Sequence, residues 1–269
     1  MEIGETMILE AKTDIGKIRD TNEDVANCLM HPKDKKIKLL LVADGMGGKE
    51  HGDIAANFIA SSLENWFINK SVEDFKNIEE IEKKIKTYLK TLNTKIINKY
   101  GRNTIGTTLT LALVLNKKTL IINVGDSRAY IYRQRRLIQI SEDDADVWLL
   151  YKSFNVKKDD LRYFVNNNII NACIGIDSEL CTPTSYIVDN DYEMLLLFSD
   201  GVTDMLTDKK LLKIIQKSRR EELLENIIDE AVEVDQHLKV PLYLKRKFKT
   251  KFVVPFNGRD NASGAIYIK

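Results

Sequence analysis

The spacing of apolar and polar residues predicts strands, two helices, strands, helices and a final strand, in that order. Short runs rich in aliphatic and β-branched residues, typical of strands, open the chain in "TMILEAKTD", "VANCLM" and "IKLLLVAD". From Asp53, apolar residues recur at steps of three and four through "DIAANFIASSLENWFIN". The same steps join Ile78 to Ile96, with Ser71 as a start signal and Gly101 as a stop. Both stretches are predicted to be amphipathic helices.

The second half of the chain predicts a return to strands. The runs "GTTLTLALVLN", "KTLIINVG", "SRAYIYR" and "RLIQIS" are separated by short polar turns, whereas residues 141–185 lack a clear period. Strand character resumes in "YIVDNDYEMLLLFSDG", helices are predicted over 211–217 and 221–236, and "ASGAIYIK" ends the chain. Because few strand–helix–strand units alternate, this order favours an α+β fold of antiparallel sheets flanked by helices. A single domain over residues 1–269 is the simplest organisation.

Composition and charge narrow the class of protein further. The 269 residues are 43% hydrophobic and 30% charged, and 41 Lys and Arg nearly balance 40 Asp and Glu. No overall field therefore attracts nucleic acid or an anionic membrane. The N-terminus lacks the features of a signal peptide, and no apolar run approaches the roughly 18 residues that span a bilayer. Three cysteines at irregular spacing indicate core residues in a reducing compartment, so we expect a cytoplasmic protein.

Acidic residues recur where apolar strands begin or end. Asp44 follows "LLLVA", Asp200 follows "MLLLFS", Asp126 follows "LIINVG", and Asp260 precedes the last strand. A weaker case is "NED", with Glu23 and Asp24 before a strand. Each Asp-Gly or Gly-Asp pair alone is explained as a turn. Together the pairs indicate more than turns. Strands 37–43 and 194–199 look buried on both faces, and a turn after such a strand does not require a carboxylate directly at its apolar end.

Carboxylates gathered at one edge of a core would repel one another unless a cation neutralised them. Carboxylate, carbonyl and water ligands suit a hard divalent cation such as Mg²⁺ or Mn²⁺. Zinc is disfavoured because the three histidines, His31, His51 and His237, are not suitably spaced. Gly45 has no side chain, so its carbonyl is expected to approach a metal closely. Arg19, four residues before Glu23, is the candidate for holding a phosphate.

Six motifs carry a family resemblance. In order they are "RDTNED", "VADGMGG", "GTTL", "VGDSR", "FSDG" and "GRDN", and the likeness spans about residues 13–268. This set resembles the metal-dependent, protein phosphatase 2C-like serine/threonine phosphatases, and "DGMGG" is similar to the bacterial form. The resemblance implies a four-layer αββα sandwich with two Mn²⁺ or Mg²⁺ ions. It also implies hydrolysis of phosphoserine and phosphothreonine by a metal-bridging water in a monomeric enzyme, on phosphoproteins made by a serine/threonine kinase.

The resemblance also implies roles for individual residues. Asp44 would bridge both metals, with the Gly45 carbonyl on one of them, and Asp200 and Asp260 would bind the other. Asp24, with Glu23 beside it, would bind a metal directly or through a water. Arg19 matches the phosphate-binding arginine, which makes Arg19 and Asp44 the predicted catalytic residues. Asp126, together with the Asp200 region, would hold a third metal. Asn261 would support the site without binding a metal.

Three departures from the family pattern stand out. Met46 occupies a position where some relatives have a histidine that protonates the leaving group, so water or a phosphate-bound proton would do so here. The stretch "ISEDDADVW" keeps Asp144 but not the residues that usually follow it, within a predicted flap subdomain over 141–185. The third is a long basic insertion, predicted over 237–257, with five basic residues between Lys245 and Lys251. It is interpreted as a solvated loop or hairpin, or as a docking surface for an acidic phosphoprotein.

Other functions stay open on the sequence alone. The altered 141–146 stretch and the basic insertion would also suit an inactive relative that binds phosphoproteins as a regulatory module. A Ca²⁺-stabilised structural domain is disfavoured because the aspartates are scattered rather than packed in one loop. RNA binding by the basic insertion would need more aromatic and basic sites than this one stretch offers.

Overall fold

The computed structural model describes residues 7–47, 51–164, 169–179, 181–233, 239–253 and 259–269. Alternating apolar residues place strands where the sequence predicts them. The strands are β1 (Ile8–Asp14), β2 (Asp24–His31), β3 (Asp34–Gly47), β4 (Ile105–Thr107), β5 (Leu109–Val114), β6 (Lys118–Val124), β7 (Arg128–Arg133), β8 (Arg136–Gln139), β9 (Thr184–Asp189), β10 (Met194–Phe198) and β11 (Ala262–Ile268).

Helices of the predicted period separate these strands. The α-helices are α1 (Gly52–Asn69), α2 (Ile78–Tyr100), α3 (Trp148–Phe154), α4 (Asp200–Thr203), α5 (Asp208–Lys217), α6 (Leu223–Val232) and α7 (Leu242–Lys247). Short 3₁₀ turns occur at Val72–Phe75, Lys158–Tyr163 and Arg220–Glu222. In the part of the chain that the structure describes, no helix is long and apolar enough to cross a membrane.

The strands pair into two antiparallel sheets. Within the described residues, one sheet has the order β1-β11-β10-β7-β8, and the other has the order β2-β3-β5-β6-β9. The short strand β4 also pairs with β3. Every pairing between these strands is antiparallel. The predicted α+β class with antiparallel sheets is therefore confirmed.

Three apolar cores hold the layers together. Successive side chains of a strand point to opposite faces, so Leu39 and Leu41 of β3 pack with α1 and α2, whereas Leu40 and Val42 pack toward the other sheet. The other sheet buries its outer face against α5 and α6. Residues 37–43 are all buried, as the sequence predicts for a strand covered on both faces. The result is the predicted four-layer αββα sandwich.

The ends of the helices follow local capping chemistry. The Asn77 side chain accepts a hydrogen bond from the Glu80 N–H at 3.1 Å, so α2 begins after Asn77. Gly101 ends it with φ +90°, a conformation that favours glycine. The predicted start signal Ser71 instead begins the 3₁₀ turn at Val72–Phe75, in which Ser71 and Asp74 cap each other.

The later helices differ from their predicted bounds. The Thr207 side chain accepts a hydrogen bond from the Lys210 N–H, so α5 begins three residues before the predicted Leu211. Helix α6 begins at Leu223, after a 3₁₀ turn, rather than at 221. The end predicted at 236 lies outside the described residues.

The region predicted to be irregular contains real structure. Residues 148–163 form α3 and a 3₁₀ turn, and a fourth apolar cluster joins them to α7. The bounds of the predicted flap (141–185) and of the basic insertion (237–257) stay predictions, since residues 165–168, 180, 234–238 and 254–258 lie outside the described part. The three cysteines are free thiols, and Cys173 and Cys181 are buried as expected of core residues.

Candidate active site

The acidic residues picked out by the sequence meet at one end of the sandwich. Asp24 and Asp44 lie directly opposite each other in the pairing of β2 with β3. Asp200 follows the end of β10, Asp126 precedes the start of β7, and Asp260 precedes the start of β11. Because β10 pairs antiparallel with both β7 and β11, these last three residues emerge at the same end of their sheet.

The charges of these carboxylates act on one another. Burial, followed by the charges of Asp24 and Asp200, raises the pKa of Asp44 well above its usual value. The pKa of Asp200 is likewise raised by burial and then by Asp126 and Asp260. Carboxylates from both sheets therefore lie close enough to disfavour each other's ionisation. Asp44 and Asp200 each keep part of their surface exposed, which leaves the group open to a ligand.

Asp24 has an unused ligand atom in this group. It is buried, and its Oδ2 has no hydrogen-bond partner within the described residues. Burial raises the pKa of Asp24 to about 7, although the nearby hydroxyls of Ser263 and Ser199 lower it in part. The Ser263 hydroxyl also lacks a clear hydrogen-bond partner there. The two hydroxyls lie near this carboxylate but do not complete a hydrogen bond to Oδ2, and a cation would satisfy that buried oxygen.

Arg19 reaches the same group from the loop between β1 and β2. Its guanidinium donates to Asp260 Oδ2 at 2.6 Å, and both side chains are partly exposed. Among the described residues, no three Asp, Glu, His or Cys side chains already form a compact metal-binding group. The donor chemistry nevertheless fits a hard divalent cation, because it consists of carboxylates with raised pKa values and one buried oxygen without a donor.

Gly45 serves a packing role that the sequence analysis did not predict. A Cβ at Gly45 would lie 2.4 Å from the Gly52 carbonyl oxygen and 2.5 Å from that of Glu23. The Gly45 N–H donates to the Glu23 carbonyl at 3.1 Å, and Glu23 Oε1 accepts from the Gly52 N–H at 2.8 Å. The absent side chain thus lets β3 contact both the start of β2 and the start of α1.

Asn261 ties the loop between β1 and β2 to β11. Its side-chain oxygen accepts from the Glu23 N–H at 2.9 Å. Its side-chain nitrogen donates to the carbonyls of Ile15 and Thr21, at 2.9 and 3.0 Å. These bonds fix the two segments that carry Arg19 and Asp260, so the arrangement matches the predicted supporting position.

Sequence reasoning missed a second set of charged residues beside Asp126. A cavity of about 20 Å³, roughly the size of one water, is lined in part by Asp126, Asp200, Asp204, Arg128 and Asp143. Arg128 and Asp143 form a buried ion pair at 2.6 Å. The signals were present: Arg128 belongs to "VGDSR", and Asp204 follows Asp200 by one helical turn.

The retained Asp144 and the altered position Met46 lie in segments that adjoin site residues. Asp144 Oδ2 accepts from the Gly125 N–H at 3.1 Å, which fixes the loop before Asp126. Burial raises the pKa of Asp144 to about 6. Met46 lies in the part of β3 that pairs with β4, opposite Gly106. It contributes no titratable group at that position.

The raised pKa of Asp126 predicts that the stability of the metal-free protein depends on pH. Burial, and then the charges of Asp143 and Asp204, raise its pKa to about 7. The folded chain therefore holds this proton more tightly than the unfolded chain, whose aspartates titrate near about 3.9. Stability from this group is complete below about pH 4 and is lost as the pH rises through about 7.

We expect Asp126→Asn to stabilise the protein in EDTA by about 1–3 kcal/mol at about pH 8, and by much less at about pH 4. Urea unfolding at both values measures this difference. Asp189→Asn removes the same charge from an exposed strand and serves as the control. A gain of equal size at both pH values would contradict the raised pKa.

Comparisons with known proteins agree with this geometry. The family model "Protein phosphatase 2C" matches residues 20–239. A serine/threonine phosphatase stp of Listeria welshimeri is 30% identical over 217 residues, which cover 79% of this chain and 84% of that protein. The crystal structure of serine/threonine phosphatase Stp1 from Staphylococcus aureus superposes with a TM-score of 0.80 at 26% identity, covering 100% of this chain and 97% of that one.

A third match concerns the fold alone because its identity is low. The catalytic domain of serine threonine protein phosphatase PstP, crystallised in complex with 2 manganese ions, superposes with a TM-score of 0.73 at 21% identity. The alignment covers 97% of each chain. The αββα architecture predicted from the motifs is thus shared with solved structures.

Proposed function

Because this chain belongs to the protein phosphatase 2C family, we propose that it hydrolyses phosphoserine and phosphothreonine in proteins with the aid of bound divalent cations. The family is one of metal-dependent phosphatases. The observation that carries the proposal is the meeting of acidic residues from both sheets at one end of the sandwich, with Oδ2 of Asp24 left without a donor.

Two cations, Mn²⁺ or Mg²⁺, are proposed as the cofactors, with a third near Asp126. Each proposed ligand is an oxygen donor of the group described above. Asp44 would contribute to both ions and Gly45 its carbonyl to one. The remaining proposed ligands of this pair are Asp24, Asp200 and Asp260. Asp126, together with Asp200, would bind the third ion. The support for this assignment is that nearby carboxylate charges raise the pKa values of Asp44 and Asp200, and that both of these residues keep part of their surface exposed.

When bound, such cations neutralise the phosphoryl group and make a water nucleophilic near neutral pH. The residues of this chain do the rest. Arg19 is about half exposed beside Asp260, and its planar guanidinium suits two phosphate oxygens at once. In the structure it donates to Asp260 instead, so binding of a phosphate would exchange one anionic partner for another. Since Met46 cannot donate a proton, we assign protonation of the leaving serine or threonine oxygen to water.

The regulatory alternative has less support than catalysis. It rests on the altered 141–146 stretch, but Asp144 still fixes the loop before Asp126, and the carboxylate set has no missing member. We further propose a monomer that acts in the cytoplasm on phosphoproteins made by a serine/threonine kinase. The free cysteines support a reducing compartment.

Removal of metal tests this function directly. We expect turnover of phosphothreonine and phosphoserine peptides in Mn²⁺, a loss of at least roughly 10³-fold in EDTA, and recovery when Mn²⁺ is added back. A phosphotyrosine peptide of the same sequence is the control, and we expect it to react much more slowly. Equal turnover with and without EDTA would contradict the proposal, as would a preference for phosphotyrosine.

A further inference from the structure

Residues 239–253 concentrate positive charge in a nearly neutral protein. They contain six Lys and Arg residues and no Asp or Glu, whereas the whole chain has a formal net charge of +1. The sequence leaves open whether this stretch is a solvated loop, a hairpin or a docking surface. The structure distinguishes these cases by how the stretch is anchored.

Apolar side chains fix this segment to the neighbouring structure. Leu244 of α7 is fully buried in the fourth apolar cluster, together with Leu161 and Phe164. The Phe164 ring contacts the rings of Phe248 and Phe252, with centroids 5.4 and 5.3 Å apart. The backbone N–H of Val253 also donates to the Tyr163 carbonyl at 2.8 Å. The segment is therefore held in one place, rather than solvated on all sides.

Lys247 donates to the Phe154 carbonyl, but other charged side chains of the segment are left to solvent. Lys245, Arg246, Lys249 and Lys251 are exposed. We call these four residues the basic patch. Among the residues that the structure describes, no carboxylate forms an ion pair with any of the four. A groove of about 630 Å³ runs along the segment, and its lining includes three of the patch lysines and the rings of Phe248 and Phe252.

The turn that anchors the segment also lines the small cavity beside Asp126. The 3₁₀ turn at Lys158–Tyr163 contributes Leu161 to the cluster that holds α7. Leu161 and Arg162 of the same turn line the cavity that also contains Asp126 and Asp200. The basic patch is thus attached to one wall of the site, at a fixed position.

We propose that the basic patch binds acidic residues that flank the phosphorylated residue of a protein substrate. This inference rests on the proposed phosphatase function. The catalytic group itself is rich in carboxylates, so it offers nothing to acidic residues beyond the phosphate. Four exposed cations, on a segment anchored to the turn that lines the cavity beside Asp126, would supply that complementarity, and the aromatic groove would accept apolar residues among the acidic ones. The patch would therefore determine which phosphoproteins are hydrolysed, without touching the phosphate.

The test compares two phosphothreonine peptides that differ only in flanking residues, glutamate in one and glutamine in the other. The variant changes all four residues of the basic patch to glutamine. We expect it to lose about tenfold in kcat/KM on the acidic peptide, mostly through KM, with little change on the neutral peptide or on p-nitrophenyl phosphate. High salt should reduce the wild-type preference for the acidic peptide, because exposed charges are screened. A matched control changes Lys83, Lys90, Lys95 and Lys99, which are exposed on α2.

The outcomes separate this inference from the proposed function. If the wild-type protein hydrolyses both peptides equally and the patch variant is unchanged, the inference is wrong and the phosphatase function stands. If neither peptide is hydrolysed in Mn²⁺, the function itself fails. Tighter binding of a single-stranded RNA than of the acidic peptide, lost in the patch variant, would overturn the inference in favour of nucleic acid. An equal loss of kcat/KM on the acidic peptide in the α2 control variant would also overturn it. The loss would then follow from the lower positive charge of the protein and not from the position of the basic patch.

Discussion

Replacing Asp44 or Asp200 with asparagine is expected to lower kcat on a phosphothreonine peptide by at least roughly 10³-fold. Burial, and then the charges of nearby carboxylates, raise the pKa values of both residues. Asparagine keeps the shape of the side chain but removes the charge that would hold a cation. The fold should persist, because the substitution also relieves repulsion between buried carboxylates.

The measurement is steady-state turnover in saturating Mn²⁺, with the melting temperature and circular dichroism as readouts of folding. Asp189→Asn, on an exposed strand, is the matched control and should keep full activity. Wild-type turnover in both site variants would mean that these carboxylates do not hold the catalytic metals. Loss of activity together with loss of folded signal would be assigned to instability instead.

Adding one methyl group at Gly45 is expected to destabilise the protein by about 3 kcal/mol and to reduce activity in parallel. The new Cβ would lie 2.4 Å from the Gly52 carbonyl oxygen, a distance that backbone atoms cannot accept without moving. Strand β3 would then shift from the start of α1, and Asp44 with it. Forced overpacking of this kind costs about 1–3 kcal/mol and sometimes more.

Gly47→Ala is the control for this effect. Its Cβ would lie 3.1 Å from its nearest neighbour, the Gly52 nitrogen, which is a tight contact but not the overlap that arises at Gly45. Urea unfolding of both variants, with and without Mn²⁺, measures the difference. If Gly45→Ala unfolds like the Gly47→Ala variant and retains activity, close packing does not explain the glycine.

The fold was predictable because its signal is local. Period-two and period-3.6 patterns mark strands and helices that each bury one face, and strand β3 showed burial on both faces as an unbroken apolar run. The end of α2 at Gly101 was predicted from the same local chemistry, whereas its start was predicted at Ser71 and lies at Asn77. The site aspartates were found because each stands next to a strand end, and strands that pair bring their ends together.

What the sequence did not reveal depends on contacts between distant residues. The buried pair of Arg128 and Asp143 joins residues fifteen positions apart, so no local pattern shows that the two are partners, although Arg128 belongs to a recognised motif. Helix α7 forms in a stretch without amphipathic period because Leu244 enters an apolar cluster built mostly from residues 145–164. The need for glycine at position 45 arises from α1, whose approach no local pattern specifies.

The central claim is that folding gathers these acidic side chains into one site for a pair of divalent cations. A crystal structure of the protein grown with Mn²⁺, with anomalous scattering recorded at the manganese edge, tests it most directly. We predict two strong peaks within ligand distance of Asp44, with Asp200 and Asp260 on one of them. Peaks elsewhere on the protein, or none between these three carboxylates, would contradict the account.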